Sequence, residues 1–171
     1  MARINEILWS PHEFLQKIFQ WLSEDAIDVS GCELDHICYR TETVERYQFL
    51  KNQIESGYGE LLDESIIGWR PIATYRLNDP VIFVNRKIQL LELPSPKATS
   101  FYPEWYEHVE FVIDESFSDF CSRYSWVSFD TKSQLKEINP DISRKYSFGS
   151  VKFHHASLDQ VIEMEQVIKM N

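Results

Sequence analysis

Two short phrases of this chain share a spelling. "LDHICYR" (34–40) and "YEHVEFV" (106–112) each place an acid, a histidine, an aliphatic residue, one further position and an aromatic in the same order. Each phrase also opens a longer segment with the same succession of local signals. After the first, Val44, Tyr47, Leu50 and Ile54 fall at helical spacing, and Gly57 and Gly59 end that helix. The β-rich runs "ELLDESII", "PIATYRL", "VIFV" and "KIQLLEL" follow, with turn residues at Asn78-Asp79-Pro80 and Asn85-Arg86. After the second, "SFSDFCSRY" reads as a short helix and "WVSFD" as a strand. "TKSQLKEINPD" then reads as a polar loop, and "ISRKYSF" and "SVKFHHA" as strands joined near Gly149-Ser150. The repeat predicts an α+β fold made of two βαβββ modules.

The flanking segments fit around these modules. Ser10 is a good helix N-cap, Pro11 suits the first helical position and Glu13 completes a capping box. Phe14, Ile18, Trp21 and Leu22 share one face of the helix that follows, and His12 belongs to its surface. Ser157 with Gln160 starts a closing helix, on which Leu158, Val161, Ile162 and Glu165 share a face. The expected organisation is a single domain over 1–171. It comprises an N-terminal helical extension (1–30), a first module (31–93), a linker (94–104) holding three of the seven prolines, and a second module with the C-terminal helix (105–171).

Alternation along a strand sorts the side chains. In the first phrase Leu34, His36, Cys38 and Arg40 share a face, opposite Asp35, Ile37 and Tyr39. In the second, His108, Glu110 and Val112 lie opposite Val109, Phe111 and Ile113. The apolar faces are core. The mixed faces are what a pocket needs. In the last strands of the modules Glu92 aligns with His154. Related modules paired about an approximate twofold would therefore converge His36, Glu92, His108 and His154. Three imidazoles and a carboxylate suit one divalent transition metal ion, Zn, Ni, Fe, Mn or Co. Glu163 or Glu165 can replace His154 if the C-terminal segment packs inward. The bland alternatives are hydrogen-bonded histidines and a solvated strand end at Glu92.

Composition narrows the partners. With net charge −10 the chain repels nucleic-acid phosphates and anionic lipid, so neither is expected as a partner. No apolar run is long enough to span a bilayer, and no signal-peptide pattern opens the sequence. Three cysteines without a CxxC suggest a reducing compartment, so the expected location is cytoplasmic. The expected state is monomer or homodimer, with a small-molecule ligand or substrate.

"LDHICYRTET", "LLELPSPK", "YEHVEFVI" and "VKFHHASLDQVIEME" together resemble the YecM family of the vicinal-oxygen-chelate superfamily, which includes glyoxalase I, extradiol dioxygenases and bleomycin-resistance proteins. The resemblance runs from about Glu33 to the C-terminal helix. It implies paired βαβββ modules forming a half-open curved sheet around one site, with metal ligands on first and last strands, where His36, Glu92 and His108 match. The last-strand position of the second module is commonly Glu in the superfamily, and His154 departs from it.

Three functions follow as expectations. In a metalloenzyme the ion holds two vicinal oxygens of a small substrate and stabilises an oxyanion. Isomerisation is then the first reaction to consider and oxygenase chemistry the next. Glu110 is the candidate general base. Arg40 and Lys152 are candidate anchors for a substrate carboxylate or phosphate, with a rim charge or a Lys152–Glu110 ion pair as the plainer reading. In a binding module the same groove sequesters a small molecule without catalysis, with Trp69, Tyr75, Trp105 and Tyr106 as flat surfaces or, more simply, as packing residues. In a structural protein the histidines satisfy hydrogen bonds and the groove is a dimer contact.

Overall fold

Each duplicated phrase becomes the first strand of its module and lies parallel to that module's last strand. A computed structural model of the chain describes residues 3–170. Four α-helices and seven strands occur among the described residues. They are α1 (His12–Glu24), β1 (Glu33–Arg40), α2 (Val44–Gln53), β2 (Gly59–Ile67), β3 (Arg70–Phe83), β4 (Arg86–Pro94), β5 (Trp105–Val112), α3 (Phe117–Arg123), β6 (Asp141–Tyr146), β7 (Gly149–His154) and α4 (Leu158–Met170). The class is α+β, as the repeat predicts. The chain divides into two units, Met1–His12 with His36–Glu107, and Glu13–Asp35 with His108–Asn171.

The first unit carries strands in the order β2-β3-β4-β1. β1 runs parallel to β4, while β3 is antiparallel to both β2 and β4. α2 starts where Thr43 accepts a hydrogen bond from the Arg46 backbone N–H at 3.1 Å, and it buries Tyr47 and Leu50. A π-turn over Ile54–Tyr58 then leads to Gly59. A Cβ on Gly59 would lie 3.0 Å from the Arg76 carbonyl oxygen, a tight contact that favours glycine at this approach of β2 to β3. Ile37, Tyr39, Tyr75, Leu91 and Leu93 are fully buried and form the apolar side of this unit. "PIATYRL" and "VIFV" belong to one strand, β3. The expected turn at Asn78-Asp79-Pro80 is a register irregularity between Arg76 and Val81 within that strand. Proline lacks the ladder donor, so the pairing breaks there without ending the strand. The preceding segment contributes the Trp9 carbonyl, which accepts from the Tyr106 hydroxyl at 2.7 Å.

The second unit carries β5-β7-β6. β5 is parallel to β7, and β6 is antiparallel to it. The expected strand at "WVSFD" reduces to one bridge between Asp130 and Ser143, because the segment has only these two backbone hydrogen bonds to β6. The β6–β7 hairpin turns at Ser147-Phe148, two residues earlier than Gly149-Ser150, since Tyr146 pairs with Gly149. α1 belongs to this unit. The Ser10 hydroxyl accepts from the His12 N–H at 3.4 Å at the helix start, and the helix buries Phe14, Leu15, Ile18 and Leu22. Trp21, half-buried, stacks on Tyr146 at 4.7 Å between ring centroids, and Phe19 meets Phe111 edge-on at 6.0 Å. Phe153 lies among Phe111, Phe120 and Phe129 as the aromatic centre of the unit. His12 is exposed, as expected.

Candidate metal and anion site

Strand pairing sets which polar side chains become neighbours. In the first unit His36 pairs with Leu90, and Cys38 with Glu92. Glu92 in turn pairs with Thr74, and Thr74 with Asp63. Paired residues point to the same side of a sheet, so Cys38, Glu92, Thr74 and Asp63 form a row across four strands. His36 and Cys38 are fully buried, and Glu92 is half-buried. Arg40, at the end of β1, donates from Nε to the Pro103 carbonyl at 3.3 Å and sits 4.8 Å over the Tyr102 ring. Of the aromatic candidates, Tyr75 and Tyr106 are core, Trp105 is half-buried, and Trp69 is 99% exposed at the β2–β3 turn.

In the second unit the register pairs His108 with Ser150, Glu110 with Lys152, and Val112 with His154. The alternation expected for β5 and β7 therefore holds, and it gathers His108, Glu110 and Lys152. The Lys152 ammonium lies 2.5 Å from Glu110 Oε1 and 3.2 Å from His108 Nε2. His108 Nε2 is itself 3.1 Å from Glu110 Oε1. Lysine offers only donors, so both atoms present acceptors to one cation. This is the ion pair that the sequence offered as the plainer reading of Lys152.

His154 is fully buried and lies deeper in the same unit. Its Nδ1 is 3.1 Å from Asn139 Oδ1 and 3.8 Å from Glu110 Oε2, and its Nε2 is 3.5 Å from Asp35 Oδ2. Asp35 also accepts from the Leu158 backbone N–H at 3.0 Å, where its charge complements the start of α4. Asp141, the register partner of His154, pairs with Lys136 at 2.6 Å. Sequence reading missed Asp35, Asn139 and Asp141. The acid that precedes each duplicated histidine was a signal for Asp35, but alternation assigned it to the apolar side. Asn139 lies in a loop before Pro140, where no periodicity applies. Glu163 is exposed and Glu165 half-buried.

The donor set can be tested for a metal directly. Two adjacent ligands on one ion, at bonds of about 2.1 Å and angles between octahedral and tetrahedral, stand roughly 3.0–3.4 Å apart. His108 Nε2 and Glu110 Oε1, at 3.1 Å, meet that condition. An imidazole nitrogen with a carboxylate oxygen is a fitting pair for the transition metals named above.

A sequence profile described as "YecM protein" matches residues 4–165. Protein YecM of Escherichia coli (strain K12) is 27% identical over 158 residues, covering 82% of each chain. An uncharacterized protein of Haemophilus influenzae is 33% identical over 116 residues, 64% of this chain and 59% of its own. Among solved structures, the structural-genomics protein EC4020 superposes with a TM-score of 0.76 at 24% identity, over 90% of this chain and 88% of that one. Methylmalonyl-CoA epimerase in complex with methylmalonyl-CoA and NH4+ gives 0.52 at 12% identity, over 74% and 96%. The Streptomyces coelicolor epimerase with 2-nitronate-propionyl-CoA gives 0.51 at 12%, over 73% and 97%. At these identities the structures are alike in fold. No helix among the described residues is long and apolar enough to cross a membrane.

Proposed function

The chain belongs to the YecM family, with the paired-module fold of the vicinal-oxygen-chelate superfamily, and from that premise we propose that it binds a divalent transition metal ion and isomerises a small, oxygen-rich substrate. The observation that carries this reading is the approach of His108 Nε2 to Glu110 Oε1 at ligand spacing on adjacent positions of one strand face. The sequence repeat adds His36 and Glu92, the first- and last-strand donors of the first module, and His154 as the matching last-strand residue of the second. His154 Nδ1 is engaged by Asn139 at 3.1 Å and stands 3.8 Å from Glu110 Oε2, while its Nε2 is 3.5 Å from Asp35.

A bound ion supplies Lewis-acid stabilisation of negative charge on substrate oxygens. The chain supplies the rest. Glu110 holds or moves a proton at Oε2, the oxygen outside the ligand-spaced pair, which stands 3.8 Å from His154 Nδ1. Lys152 and Arg40 attract a carboxylate or phosphate on the substrate. The epimerases of similar fold are described with coenzyme A thioesters. That chemistry, proton transfer next to a carbonyl, is the class proposed here. The protein is proposed to act in the cytoplasm as a monomer or homodimer.

Metal analysis of protein purified without an affinity tag tests the reading. About one ion per chain in the natural protein, lost in His108→Ala while the fold survives, is expected. A folded, metal-free protein that takes up no Zn, Ni, Fe, Mn or Co overturns it. Retained metal without turnover of 2-oxoacids, 2-oxoaldehydes or acyl thioesters transfers the site to sequestration of a small molecule.

A further inference from the structure

We propose that Lys152 is a tethered cation that occupies the ion's place between His108 and Glu110, and that a divalent metal binds by displacing it. The inference rests on the metal reading and adds a competitor built into the chain. Three observations carry it. First, the two atoms at ligand spacing are the same two atoms that face the Lys152 ammonium, at 3.2 Å from His108 Nε2 and 2.5 Å from Glu110 Oε1. Second, Glu110 and Lys152 are register partners on adjacent parallel strands, so the ammonium is delivered by the backbone rather than by a loop. Third, the lysine side chain is 27% exposed while those of His108 and Glu110 are 7% and 6% exposed. The lysine is therefore the most exposed of the three side chains, and its four-carbon stem is flexible.

The electrostatics give the direction. With the ammonium in place, the Glu110 charge is neutralised and both acceptors are satisfied, so the folded chain does not need metal to settle this corner of its core. A divalent ion at the same atoms cannot coexist with an ammonium at hydrogen-bond distance, because like charges at that separation in a water-poor site repel strongly. Metal entry thus expels Lys152, and the expelled ammonium becomes available to an anionic group at the site. Metal affinity is reduced by the strength of the contacts that the ammonium gives up.

The experiment compares the natural chain with Lys152→Met, which keeps the stem and removes the charge, by calorimetric titration with Zn2+ and with Mn2+. Circular dichroism melting confirms the fold of each. A roughly ten- to hundredfold tighter constant in Lys152→Met is expected, the factor for a charged hydrogen bond that no longer competes. Equal or weaker binding by a folded Lys152→Met protein overturns the inference and leaves the metal reading standing. Binding by the variant alone shows Lys152 blocking the site outright, and overturns both displacement and the metal reading for the natural chain. Binding by neither overturns both. A second measurement uses only the natural protein: amine acylation mapped by mass spectrometry, with and without saturating Zn2+. Lys152 modification should rise several-fold with the ion, and an unchanged extent at Lys152 under saturation contradicts displacement.

Discussion

The side-chain oxygen of Asn139 lies 3.1 Å from Nδ1 of His154, and Asn139 holds a positive φ of 45° to reach it. Asparagine is one of the few residues that tolerate this backbone. Asn139→Ala is expected to cost about 2–3 kcal/mol in urea denaturation, combining a lost part-buried hydrogen bond with an alanine in the left-handed region. Asn139→Gly adopts that φ freely and should lose less. If alanine costs nothing, the loop is not held by this contact.

Glu104 joins the linker to α2. It accepts from Arg46 Nε at 2.8 Å and from the Tyr39 hydroxyl at 2.7 Å. Burial pushes its carboxyl pKa up, but the hydrogen bonds from Arg46 and Tyr39 and the guanidinium charge outweigh it and hold the value below the usual carboxylate range. A depressed folded pKa gives stability that is fully present above the unfolded value, about 4.3, and is lost as pH falls through the folded value. Denaturation midpoints at pH 6, 4 and 3 should therefore fall more steeply for the natural chain than for Glu104→Gln. Parallel curves would remove Glu104 from the acid limb.

Val84 is the first residue of the two-residue loop between Phe83 and Arg86, with a φ of 55° and 82% exposure. A β-branched side chain is poorly suited to positive φ, and glycine is the usual residue at such a hairpin position. Val84→Gly should raise stability by about 0.5–1 kcal/mol, a gain read from thermal melting. A destabilised variant would show that the valine is held by contacts rather than tolerated.

Glu92 pairs with Cys38 and Thr74 in the polar row of the first unit and is half-buried. The proposed ligand role predicts that Glu92→Gln lowers metal content more than it lowers stability, since the amide keeps the shape and loses the charge. Metal analysis beside a urea melt separates the two. Unchanged metal content at full occupancy excludes Glu92 as a ligand.

The legible part of the fold was the part governed by period and punctuation. Alternation assigned Ile37, Tyr39, Val109, Phe111 and Ile113 to the core, and all are buried. It also put His108, Glu110 and Lys152 on one side, because strand pairing preserves parity. What periodicity cannot see is where pairing stops. "WVSFD" has a strand's composition, yet it meets β6 through a single bridge. Nor does alternation say which of two facing polar groups satisfy each other. That Lys152 reaches Glu110, and that His154 meets Asp35 and Asn139, depends on loops and on side-chain length.

The second unit is discontinuous in sequence, built from Glu13–Asp35 and His108–Asn171. Asp25 waits for Arg144, which it meets at 2.8 Å across 119 positions, and Phe19 waits for Phe111. At 5–20 residues per second, a ribosome needs roughly 6–24 s to supply that arginine after the aspartate. Until β5 is made, α1 carries Phe14, Leu15, Ile18 and Leu22 with Phe111 not yet available to Phe19. The first unit, complete once Glu107 emerges, can close before the second exists. Birth order on the ribosome thus runs against docking order: α1, made before every strand described above, is among the last elements to find its place.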